Sequence, residues 1–217
     1  MPWRLLPHAT ACLASGRLIL LDTRQDRYFH VPGLVAGEMR AWLIADDGAP
    51  APHRVSAMLK RGGIHRNRDP EPRVERLDID LPRHLVSPIW QTGRTGALTR
   101  ASVAQIVLRM RLTLMLRPLN GILRAPRRRR PERDVMSDEE LFARSAAFDR
   151  ARTSSPTRRN CLLDSLALRA WLGDPNCRLV FGVTAQPFTA HCWLQGPTAI
   201  LNDSYDHAAR YTPILLL

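Results

Sequence analysis

The sequence predicts an α+β protein built in two parts, and three observations carry that reading. The first third alternates short β-type runs with turn residues and then switches to helical spacing. Residues 66–96 are rich in Pro, Arg, Asp and Gly and hold only short apolar runs, which marks a boundary. The last third sets one apolar helix ahead of an antiparallel sheet. The boundary is drawn to give domains 1–83 and 84–217, and a chain of 217 residues can bury a core either whole or divided.

The elements follow in order. "ATACLAS" and "RLILLDT" are β-type runs separated by Ser15-Gly16, a hairpin turn. "DRYFHV" follows a polar break at Arg24-Gln25-Asp26, and Pro32-Gly33 ends the strands. "LVAGEMRAWLIA" then places Leu34, Met39, Trp42 and Leu43 at helical spacing. A second short helix, "HRVSAMLKR", turns Val55, Met58 and Leu59 inward and closes on Gly62-Gly63. Beyond the boundary, "LTRASVAQIVLRMRLTLML" reads as a long helix. "MSDEELFARSAAFDRA" reads as another, opened by a Ser137–Glu140 capping box. "CLLDSLALRAWL" is the apolar helix of the last third, followed by the strands "CRLVFGVTA", "AHCWLQ" and "AILNDS".

Composition narrows the classes of function. The net charge of +12 suggests nucleic acid, but Lys60 is the only lysine, and so lopsided a use of arginine reflects coding composition rather than a DNA footprint. The run Arg127–Arg130, with Arg124 and Arg133 beside it, is a solvated loop or a contact for phosphate or an acidic partner. Four cysteines without CxxC spacing and no secretory signal point to free thiols in a reducing cytoplasm. The most apolar segment, 101–123, is interrupted by Arg109, Arg111 and Arg117, so no membrane span is expected. No P-loop and no GxGxxG occurs, and no cysteine or histidine pair has the chelating spacing of a zinc site.

One constellation carries chemistry: Cys161 at a helix start, His191 in a strand and Asp203 in the next. A helix N-terminus favours the thiolate, an imidazole completes its activation, and a carboxylate fixes the imidazole's tautomer. The bland reading makes Cys161 a small buried hydrophobe, His191 structural and Asp203 a turn former. His207 is a rival base, close in sequence to Asp203 and Asp206. Hairpin register supplies a test. If Gly196, Pro197 and Thr198 form the turn, His191 falls opposite Asp203 on one face. If only Pro197 and Thr198 turn, Cys192 falls opposite Asp203 and the pair is split across two faces. The helix start is equally open: Asn160 caps it just before the thiol, or Ser155-Pro156 starts it earlier and leaves Cys161 in the second turn.

The stretches "CLLDSLALRAWL", "RLVFGV", "AHCWLQ" and "ILND" resemble the leader-peptidase domain of lasso peptide biosynthesis B proteins, which are transglutaminase-like, papain-like cysteine proteases. The resemblance implies that Cys161 is the nucleophile, His191 the general base and Asp203 the orienting carboxylate. Cys192 stands where alanine is usual in that family, and Gln195 where glutamate is usual. "ILLDTRQDRYFHVPGLVAGEMRAWL" is similar to the fused leader-recognition domain, a winged-helix-like unit of three strands and three helices. There the leader peptide adds as a strand. Mapped onto this chain, the edge is about Asp26–Val31 beside the helix His53–Arg61, with Tyr28 and Leu59 as contacts; core packing is their other reading.

The resemblance implies a cytoplasmic cysteine peptidase of lasso peptide maturation. It would bind the precursor's leader, cleave leader from core and hand the core to an asparagine-synthetase-like macrolactam synthetase. It also implies ATP dependence, for which the sequence offers no site, so the dependence is expected to arise through the partner complex or an unrecognised site. No metal, nucleic acid or membrane partner is expected. The rival functions are a transglutaminase-type acyl transferase, a winged-helix DNA-binding regulator and a scaffold without thiol reactivity.

Overall fold

The computed structural model describes residues 2–82, 96–124, 135–153, 155 and 157–217. It is α+β. The chain forms two compact units, Met1–Ile79 with Gly182–Ala190 and Tyr211–Leu216, and Asp80–Phe181 with His191–Arg210 and Leu217. The expected boundary between residues 83 and 84 falls outside the described residues, as does the arginine run 127–130. Neither unit is one consecutive stretch.

In the first unit, strands β1 (Pro2–Leu6), β2 (Ala9–Ala14), β3 (Arg17–Asp22), β4 (Arg27–His30) and β5 (Glu75–Arg76) form an antiparallel sheet in the order β4-β3-β2-β1-β5. Helices α1 (Gly33–Ala45) and α2 (His53–Arg61) complete it. The count corrects the expectation of three strands and three helices: the described residues 2–82 hold five strands and two helices. β1 was hidden because it is five residues long and starts on a proline, which a sheet accepts at a strand's first position. Once paired, it buries Trp3, Leu5 and Leu6.

Alternation along the strands decides which side chains reach the helices. Leu18, Leu20, Ala11, Ala9, Leu5 and Trp3 pack with Met39, Trp42, Leu43, Val55, Leu59 and Ile64 in one apolar core. Leu34, which shares the helical spacing of Met39, Trp42 and Leu43, is 90% exposed, so the buried face of α1 begins at Met39. α2 ends on Gly62, whose N–H bonds Met58 O, and Gly63 takes φ +68°, which only glycine adopts without strain.

In the second unit, α3 (Ala97–Leu116), α4 (Leu119–Arg124), α5 (Asp138–Thr153) and α6 (Cys161–Leu172) precede the sheet. α3 packs on α5 and α6 through Val103 and Val107, both wholly buried. Ser137 Oγ accepts from Glu140 N at 3.2 Å, as the capping box predicts, while the Glu140 carboxylate pairs with Arg144. β6 (Arg178–Ala185), β7 (Phe188–Gln195) and β8 (Thr212–Leu216) form a sheet in the order β7-β6-β8, of which β8, the end of β6 and the start of β7 fall in the first unit, with α7 (Tyr205–Ala208) between β7 and β8 in sequence. "AILNDS" is not the third strand the sequence suggested; only Ile200 forms a bridge, to Gln195. Among the described residues no helix is long and apolar enough to cross a membrane.

Candidate active site

The position of Cys161 is settled by one side chain. Asn160 Oδ1 accepts from the N–H groups of Leu162 and Leu163, both at 3.1 Å, so α6 opens at Cys161 and not at Ser155. Cys161 therefore stands in the first turn, where unpaired N–H groups and the helix dipole favour negative charge. The loop in front of it is held by Arg152, in the last turn of α5 and 2% exposed. Its Nε donates to Asp164 Oδ1 at 2.7 Å, Nη1 to Thr157 O at 2.8 Å and Nη2 to Arg158 O at 3.0 Å. One buried guanidinium thus ties the end of α5, the connecting loop and the first turn of α6 together.

His191 reaches Asp203 by a route that the register argument did not foresee. Gly196 N bonds Ala199 O at 2.8 Å and Gln195 bridges Ile200, so the turn is Pro197-Thr198. That is the register counted against the triad. Nevertheless His191 Nε2 and Asp203 Oδ2 lie 2.5 Å apart. The argument assumed that residues 199–204 continue as a strand, and they do not. Leu201 N bonds Leu194 O at 2.8 Å; then the Asn202 side chain, not a backbone carbonyl, accepts from Leu194 N at 2.7 Å. Residues 201–203 form a bend, alternation ends, and Asp203 swings back to the imidazole.

The charges in the site reinforce one another. The hydrogen bond from His191 lowers the Cys161 thiol, against the opposing effect of burial, and backbone N–H groups of Cys192 and Leu162 add to the lowering. Burial works against the charge on His191, but bonds to Asp203 and Cys161 outweigh it and hold the imidazole up to about 9. For Asp203, burial is likewise outweighed, by bonds from His191, His207 and Ser204 N, and its carboxyl stays below the usual range. With Nε2 on Asp203, Nδ1 is the ring nitrogen left to face the sulfur. The imidazole thus faces the thiol that it lowers on one side and the carboxylate that braces it on the other.

His207, weighed in the sequence as a rival base, shares the carboxylate instead: its Nδ1 lies 2.8 Å from the same Oδ2, and the two imidazole rings meet edge-on at 4.8 Å. The ring nitrogens of His191 and His207 and the carboxylate of Asp203 thus lie within 4.8 Å of one another, held together by their own hydrogen bonds. Cys177 and Cys192 are buried, and burial pushes the Cys192 thiol up, as it pushes Cys12 up to about 12. Gln195 accepts from Trp193 Nε1 at 3.2 Å and donates to Asp80 O at 3.0 Å. A cavity of about 70 Å³ lies beside the thiol, lined by Ser145, Arg159, His191 and Asn202 among others.

The expected peptide contacts lie in the first unit. Leu59 is wholly buried in its core, so α2 offers Met58 at the surface. Tyr28 pairs with Leu21 across the sheet and meets Phe188 with ring centroids 5.5 Å apart, on the face opposite Phe29. Phe29, Leu34, Val35 and Met58 line a groove of about 720 Å³ beside the edge strand β4. Arg152, Ser165 and Asn202 were missed in the sequence, because an arginine, a serine and an asparagine announce no partner until the chain has folded.

A family model described as the transglutaminase-like superfamily matches residues 104–216, the span that carries Cys161, His191 and Asp203. No curated protein and no solved structure matches the chain.

Proposed function

This chain belongs to the transglutaminase-like superfamily, whose family model covers just over half of it, and we propose that it is the leader peptidase of lasso peptide maturation, the family that its motifs "CLLDSLALRAWL", "AHCWLQ" and "ILND" resemble. The observation that carries the thiol chemistry is the line from Cys161 through His191 to Asp203, in which the imidazole lowers the thiol and the carboxylate braces the imidazole. The superfamily includes cysteine peptidases and acyltransferases, and both begin with the same step.

Cys161 Sγ attacks the carbonyl carbon of the bond between leader and core, and the oxyanion forms near the Cys161 backbone N–H at the helix start. His191 gives its Nδ1 proton to the departing amine, the C–N bond breaks, and a thioester remains on Cys161. The neutral imidazole then takes a proton from water, whose oxygen displaces the sulfur and releases the leader's carboxylate. Asp203 accepts from Nε2 throughout and keeps the proton-transferring nitrogen turned to the thiol.

Leader recognition belongs to the first unit in this reading. Among the described residues β4 is the edge strand of its sheet, the place where a leader would add as a strand, and the groove beside it takes apolar side chains. The amine released at the core is the group that a macrolactam synthetase joins to an acidic side chain, so such a synthetase is the expected partner. ATP dependence would enter through that complex, in the cytoplasm, without nucleic acid or membrane. Incubating a precursor peptide with the wild-type chain and with Cys161→Ala tests this by mass spectrometry. Wild type should give leader plus core and the variant intact precursor. Amine-adducted leader would indicate acyl transfer, and cleavage by both would remove Cys161 from the mechanism.

A further inference from the structure

β7 is the edge strand of its sheet, so one row of its backbone groups needs partners outside the ladder. Both backbone groups of Cys192 find them on α6. The N–H helps to lower the Cys161 thiol, and the carbonyl accepts from Ser165 Oγ at 3.1 Å. Cys161 and Ser165 are four residues apart, one above the other on the same helix face. Ser165 is wholly buried, and its oxygen also accepts from Asn202 Nδ2 at 2.8 Å. The other end of the Asn202 amide accepts from Leu194 N at 2.7 Å. Every member of this chain of bonds is a near neighbour of a triad residue. Ser165 lies one turn from Cys161, Cys192 follows His191, and Asn202 precedes Asp203.

We propose that Ser165 and Asn202 are positioning residues, a polar tie that sets α6, β7 and the 201–203 bend at the one separation that seats His191 between Cys161 and Asp203. The chemistry of the pair suits the task. A serine hydroxyl donates once and accepts once here, and the asparagine amide uses both of its ends, so the tie has one bonding pattern and no slack. The register gives it a purpose. The ladder itself would point Asp203 away from His191, and the side chain of Asn202 is what ends that ladder at Leu194. Remove the amide and residues 201–203 are free to continue as a strand.

The proposal rests on Cys161 reacting as a thiolate, and its test keeps the two questions apart. Iodoacetamide alkylation of the full chain is followed across about pH 5 to 10, with Cys161→Ala as the blank and circular dichroism reporting the fold. Wild type should show a thiolate inflection below the ordinary thiol range. Ser165→Ala and Asn202→Ala should raise that inflection by about one unit and slow alkylation near neutral pH by about tenfold. Ser165→Thr, which keeps the hydroxyl, should restore it. Folded Ser165→Ala and Asn202→Ala proteins with the wild-type profile would overturn the tie. Should Ser165→Ala fail to fold, Asn202→Ala on the half-buried bend decides alone. A wild-type profile with no lowered inflection would instead overturn the thiolate reading beneath it.

Discussion

Cys161 and His191 titrate against each other, and the direction of each shift sets the working range. The thiol is lowered by the imidazole, while His191 stays protonated up to about 9 despite burial. Below the lowered thiol value Cys161 regains its proton and stops attacking; above about 9 the imidazole loses the proton that the leaving amine needs. Turnover should therefore follow a bell, with its acid limb set by the thiol and its alkaline limb by His191. A pH–rate profile of peptide cleavage checks it. An alkaline limb near an ordinary imidazole value would mean that Asp203 does not brace the ring in solution. His207 enters here as well, because a second imidazole on Asp203 Oδ2 helps to keep that carboxyl ionised.

At the scale of elements, the start of α6 is the best-determined feature of the molecule. Asn160 caps it, Arg152 pins the loop before it, and Gly173 at φ 66° ends it. Arg152 is the costliest member to lose. Truncating it would leave Asp164 half of a buried ion pair and two carbonyls without a donor. Arg152→Ala should cost about 3–5 kcal/mol in urea denaturation, the range for breaking a buried pair from one side. A cost below about 1 kcal/mol would reduce the pair to the value of a surface contact. The Ser137 cap and the two glycines after α2 were legible in the sequence because capping is local chemistry within a few residues, while Asn160 was one of two possible starts for α6 until its bonds to Leu162 and Leu163 decided between them. β1 and β8 were not legible, since each is only five residues long; β1 opens on a proline, and β8 gains its stability from β6, a neighbour distant in sequence.

For the whole molecule, the proposed function needs a site that binds a peptide and a site that cuts it. In that reading the edge of β4 and the Phe29–Met58 groove supply the first. Met58→Glu puts a charge into that groove and should weaken leader binding by about tenfold, the effect of about 1.4 kcal/mol. Cleavage kinetics check it: the loss should appear in KM, with kcat little changed, because Cys161 is untouched. An unchanged KM would move recognition away from this groove.

Local chemistry was readable from the letters: an α+β pattern, an apolar helix with a thiol in its first or second turn, and a histidine and an aspartate close enough in the chain to meet. Only the tertiary structure decided how they meet. Register arithmetic assumed an unbroken strand after the Pro197-Thr198 turn, and on that assumption His191 and Asp203 lie on opposite faces. The strand breaks because Asn202 spends its side chain on Leu194 and Ser165, and Ser165 comes from a helix that strand periodicity does not describe. Spacing within an element is set by bond geometry and can be read from the letters. Where an element stops is set here by a partner thirty-seven residues away, and that partner becomes visible only once the helix has packed.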